Sequence, residues 1–153
     1  MRALMILLVS LGLAAAAQAA EAVTGHIVKV LPFLLDLQGR NSISPSLFDR
    51  DAYQAHLREH TNEVSAISYD VLWNATKAPD EKIKIVVELR GLGTKGEPRL
   101  KTLEAAGVPR KFRQWTAIPL AGDDYKNFGS VVAWRVRLWN GDQMLAEQKS
   151  FLW

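Results

Sequence analysis

The chain has 153 residues, with 19 Lys and Arg against 16 Asp and Glu, and no cysteine. A formal net charge of +3 argues against a nucleic-acid partner, and the missing thiols exclude disulfide staples, thiolate metal ligands and a cysteine nucleophile. With 48% hydrophobic residues, the chain is long enough to bury one domain's core.

The N-terminus reads as a secretory signal peptide of bacterial type, spanning residues 1–19. Met1-Arg2 is a short positive start, an apolar run extends from Leu4 to Ala17, and Ala17-Gln18-Ala19 supplies small residues for cleavage after Ala19. The run is shorter than a spanning helix requires and no basic stop follows, so no transmembrane anchor is expected after cleavage. The expected location is the periplasm or the medium. Arg2 is the only charged residue removed, so residues 20–153 form a single, nearly neutral domain.

A first strand is predicted over Val23–Leu31, ended by Pro32. Phe33 to Ser46 is irregular, with a turn signal at Asp36–Arg40 and a Ser-rich stretch around Pro45. A short helix is expected near residues 47–60. Ser46 is its N-cap, Asp49 and Asp51 suit its positive end, and Phe48, Ala52, Tyr53 and Leu57 form the face turned to the protein body.

Beyond the helix the period changes to two. Ile67, Tyr69, Val71 and Trp73 mark one strand, and Ile83, Ile85, Val87 and Leu89 mark the next. Arg99–Glu104 and Phe112–Leu120 are further strands, with Lys111 and Arg113 on a solvated edge. Ala121–Asp124 is a turn. Val132, Trp134, Val136 and Leu138 alternate into Asn140-Gly141-Asp142, a tight hairpin signal, and Met144–Trp153 returns. Arg135 and Glu147 are then positioned to pair across the hairpin. Six or seven strands, neighbours in sequence and without alternating helices, predict an all-β fold: a two-sheet antiparallel sandwich with one inserted helix.

The stretch Ile118–Tyr125, with Gly129 and Val131–Leu138, resembles the second half of an immunoglobulin- or fibronectin type III-like sandwich. The resemblance spans roughly residues 64–153. It implies a corner role for Tyr125, whose hydroxyl would bond back to the upstream backbone. The same architecture hosts adhesion, binding, chaperone and enzyme-appended domains, so function must be read from a site.

Three patterns carry chemistry. His56-Leu57-Arg58-Glu59-His60 spells H-x-x-E-H and resembles the motif of inverted zinc peptidases, which implies His56 and His60 as ligands and Glu59 as base. Those enzymes take a third ligand from a second long helix, which is not predicted here, so no metal or other cofactor is expected. Gly91-Leu92-Gly93-Thr94-Lys95-Gly96 spells the dinucleotide fingerprint, but a strand rather than a helix follows it. Five tryptophans are present. Trp73 and Trp134 fall on core phases, Trp115 has no assigned side, and Trp139 and Trp153 are candidate ligand contacts.

The reading that follows is an exported, non-catalytic binding or envelope-structural protein. Its partner would be another envelope protein, met through the Phe33–Ser46 segment, the helix and the Gly91–Pro98 loop. The alternative is a carbohydrate- or cell-wall-binding module using exposed tryptophan. A zinc metallopeptidase-like site is the remote third.

Overall fold

The computed structural model describes residues 22–76 and 82–153. The signal-peptide reading of residues 1–19 therefore lies outside the described residues. The described residues form seven strands: β1 (Thr24–Asp36), β2 (Val64–Thr76), β3 (Ile83–Leu92), β4 (Pro98–Gly107), β5 (Gln114–Ala121), β6 (Ser130–Asn140) and β7 (Gln143–Lys149). Helix α1 (Leu47–Glu59) lies between β1 and β2, and α2 (Gly122–Phe128) between β5 and β6. A three-stranded antiparallel sheet, β1-β2-β5, packs on a four-stranded antiparallel sheet, β4-β3-β6-β7. The protein is an all-β sandwich.

The core is built by the expected period-two positions. Tyr69, Val71 and Trp73 of β2 meet Ile85, Val87 and Leu89 of β3 and Val136 and Leu138 of β6, all at most 1% exposed. Alternation puts every second side chain on this inner face, so burying it removes most of the apolar surface from water. The Trp73 indole N–H donates to Thr116 Oγ1 at 2.9 Å, which satisfies its one polar atom. Gly107 lies against this ring, where a Cβ would overlap it.

β1 does not stop at Pro32 but continues to Asp36. Among the described residues it is an edge strand paired only with β2, and since the Leu34 N–H points away from β2 to Gln54, the nitrogen of Pro32 two residues earlier costs no ladder bond. Pro119 occupies the same kind of position in β5, the opposite edge of this sheet. The expected turn at Ala121–Asp124 is instead the start of α2, with Gly122 at φ +62° leading into Asp123 and Asp124 in the first turn. Phe128 of this helix is buried, and the Tyr125 ring packs half-buried against the core directly before β6.

The β6–β7 hairpin closes through Gly141-Asp142, with Gly141 at φ +54°. A bulge inserts Leu145 into β7, so that Leu138 pairs with Ala146 and Trp139 with Met144. That extra residue changes which face β7 presents and brings Glu147 onto the arginine side of β6. Arg135 Nη1 accordingly lies 3.8 Å from Glu147 Oε2. β7 ends at Lys149 rather than at the C-terminus. Ser150 bonds Trp134 through both backbone and hydroxyl, and the tail turns so that Trp153 folds back over the sheet. Arg110–Arg113 precede β5 instead of lying within it; the carbonyls of Arg110 and Lys111 accept bonds from Ala75 N–H and the Asn74 amide.

Candidate functional site

The segment between β1 and β2 is held to the outer face of the three-stranded sheet by two side chains. Asp36, 2% exposed, accepts hydrogen bonds from the N–H groups of Gln38 (2.9 Å) and Arg40 (2.8 Å), from Arg40 Nε (2.8 Å) and from the Tyr53 hydroxyl (2.8 Å). Burial alone would raise its pKa. The Arg40 N–H, the Tyr53 hydroxyl, the Arg40 guanidinium and the Gln38 N–H outweigh that and hold it at about 2. The Tyr53 hydroxyl is pushed up in turn by donating to this carboxylate. Gln54, 3% exposed, works from the helix side. Its carbonyl accepts the Leu34 N–H at 2.9 Å, and its amide donates to the carbonyls of Leu34 and Asn41.

α1 starts at the expected N-cap, Ser46, whose hydroxyl accepts the Asp49 N–H at 3.4 Å. The face it turns inward differs from the hydrophobic one. Arg50, Tyr53, Gln54 and Leu57, at helical i, i+3, i+4 and i+7 spacing, form the packed stripe, and only Leu57 among them is aliphatic. Phe48 is 81% exposed and Ala52 is also exposed, because the polar Gln54 is what bonds the β1 edge.

This arrangement leaves an open cleft of about 360 Å³ between the insertion and the sheet. Leu31, Phe33, Asp70 and Trp115 form its sheet side, and Asn41, Ser42, Ser44, Pro45 and Arg50 its wall. Trp115 is 53% exposed and pairs with Leu72 on the outward phase of β5. The Arg50 guanidinium carbon lies 5.0 Å from the Phe33 ring centroid, a cation–π contact, while its buried Nε has no partner among the described residues. One Asp70 oxygen accepts the Ser68 hydroxyl at 2.7 Å. The cleft thus collects two aromatic rings, Trp115 and the Arg50-covered Phe33, with one cation, one anion and one carboxamide.

The candidate tryptophans sit elsewhere. Trp139 and Trp153 are half-buried on the outer face of the four-stranded sheet. Trp153 lies 4.0 Å from Arg90 and 4.6 Å from Arg135, measured from guanidinium carbon to ring centroid, and Arg137 lies 5.2 Å from the Trp139 ring. Glu88 ties the arginines together, at 2.7 Å from Arg135 Nε and 2.9 Å from Arg137 Nη2, and these partners hold its carboxyl below its usual pKa. A slot of about 250 Å³ runs between Trp153, Arg90, Thr102 and Leu100.

His56 and His60 do fall on one side of α1, but their rings stack at 4.0 Å instead of converging on a point. His56 Nε2 meets Glu63 Oε2 at 2.9 Å, not Glu59, and His60 Nδ1 lies 2.9 Å from the His56 carbonyl. Among the described residues no group of three His, Asp or Glu is placed to hold a metal ion. The glycine-rich segment is the β3–β4 connection, and Glu97 folds over it. Its carboxylate accepts the Lys95 N–H and pairs with Arg99, putting negative charge where a phosphate would need N–H groups.

Arg50, Asp70, Asn41 and Trp115 were not singled out by the sequence reading. Strand parity carried a signal for one of them: Ile118 and Leu120 point into the core, so Trp115 must point out. Among the described residues no helix is long and apolar enough to cross a membrane. No protein-family model, no curated protein and no solved structure matches the chain.

Proposed function

We propose that the chain is an exported, non-catalytic binding protein of immunoglobulin- or fibronectin type III-like architecture, acting in the periplasm or outside the cell. Its ligand site is the cleft beneath the β1–β2 insertion. The carrying observation is a division of labour: Asp36 and Gln54 fix the insertion from inside, while Trp115 stays half-exposed in a cleft whose other lining residues include Asp70, Asn41 and Arg50. The test is capture from an envelope extract on residues 20–153, with Trp115→Ala beside the unsubstituted protein. Loss of the captured species in the variant supports the cleft. Equal capture by both refutes it.

A second reading rests on Trp139 and Trp153. The slot beside Trp153 places two arginines and an aromatic ring on the other outer face. Capture that survives Trp115→Ala and fails with Trp153→Ala favours that face.

A further inference from the structure

We propose that the cleft takes an uncharged sugar ring, stacked on Trp115 and hydrogen-bonded by Asp70, Asn41 and Arg50. This rests on the cleft being the binding site. The choice of ligand class follows from what the cleft leaves unsatisfied.

The indole of Trp115 is 53% exposed at the cleft mouth. A flat, weakly polar surface of that size suits the C–H face of a pyranose, which contacts a ring broadly without needing a matching shape. Trp also has few rotatable bonds to immobilise, so stacking on it costs little entropy.

The polar groups around the indole are planar and carry spare bonding capacity. The second oxygen of the Asp70 carboxylate has no hydrogen-bond partner among the described residues, and the same holds for the Asn41 carboxamide. The Arg50 guanidinium is held in place against Phe33 and lies 3.5 Å from Asp51 through Nη2, which fixes its position at the cleft wall. The Asn41 carboxamide offers a donor and an acceptor in one plane and Asp70 offers a further acceptor beside it, which suits adjacent hydroxyls on a sugar.

Other ligand classes fit less well. An apolar side chain entering the cleft would strip water from Asp70 and Arg50 without replacing its hydrogen bonds. A phosphate or carboxylate would face Asp70, and an amine would face Arg50. One positive and one negative group in the same cleft favour a neutral ligand with both donors and acceptors. The volume of about 360 Å³ lies at the low end for small-molecule sites, which suits a mono- or disaccharide in contact with part of a longer chain.

The test is a titration of isotope-labelled residues 20–153 with cellobiose, maltose and N,N′-diacetylchitobiose, read by amide and indole N–H chemical shifts. The Trp115 indole signal is assigned by its loss in Trp115→Phe. Saturable shifts of that signal with at least one disaccharide are expected. Trp115→Ala and Asp70→Ala should each weaken binding at least about tenfold, and Phe48→Ala, outside the cleft lining, should leave it unchanged. Thermal unfolding of each variant separates lost binding from lost structure. If all three sugars leave the cleft signals unmoved, the sugar proposal is overturned. If the envelope capture still yields a protein that Trp115→Ala loses, only the ligand class was wrong; if that capture also fails, the cleft reading falls with it.

Discussion

Asp36→Asn removes one charge from an acceptor that serves four donors. In the native protein the carboxyl titrates at about 2, against 3.8 for an unperturbed group. A lowered native pKa means that the unfolded chain binds the proton more readily. The stabilisation is therefore complete above the unfolded value, near 4, and disappears as the pH falls through 2. The gap corresponds to about 2 kcal/mol at neutral pH, and about half of that is lost by roughly pH 3. Asn also turns an amide toward Arg40 Nε and the Tyr53 hydroxyl, which adds a cost independent of pH. The informative quantity is how the stability difference between the native protein and Asp36→Asn changes with pH. Urea unfolding followed by tryptophan fluorescence should show the difference narrowing by about 1 kcal/mol between pH 7 and roughly pH 3. A difference that stays constant over this range would refute the account of Asp36 as an ionised clamp.

Tyr69 is fully buried and its hydroxyl has no partner among the described residues, so burial raises its pKa well above the usual phenol value. Tyr69→Phe should leave stability unchanged or raise it by up to about 1 kcal/mol in denaturant unfolding. Gly107→Ala should cost about 2–3 kcal/mol, because the added methyl overlaps the buried Trp73 ring; the Trp73 fluorescence should shift with it. Glu88→Gln leaves Arg135 and Arg137 facing each other without their shared carboxylate. It should lower stability by about 1 kcal/mol at pH 7, with the loss shrinking in high salt.

The strands were legible because burial on one face forces a period of two, and Ile83, Ile85, Val87, Leu89, Val136 and Leu138 are buried as that rule requires; Val132 is instead 45% exposed and Ala133 buried, because the β3–β6 register shifts beside them. The helix was legible from Ser46 and the absence of Gly and Pro. Its orientation was not, since its inward stripe contains Arg50 and Gln54, and hydrophobicity cannot reveal a glutamine buried to bond a strand edge. The length of β1 was hidden by Pro32, which ends a strand only if its neighbour needs the missing N–H. The single-residue bulge at Leu145 was likewise invisible, although the ion pair between Arg135 and Glu147 depends on it. The cleft was beyond local pattern altogether. Its parts come from positions 31 to 115 and meet only after two sheet pairings and the insertion are in place.

Pro32 and Pro119 sit in the two outer strands of the same sheet, on either side of β2. A strand approaching from another molecule meets, at each margin, a residue with no N–H to offer and a ring in its path. That sheet resists sideways growth without being rolled into a barrel. Stringing copies of the chain into a shared ribbon through it is thereby disfavoured. The same two residues that interrupt an otherwise ordinary strand pattern thus guard its margins, with Gln54 covering the Leu34 N–H and C=O beside Pro32.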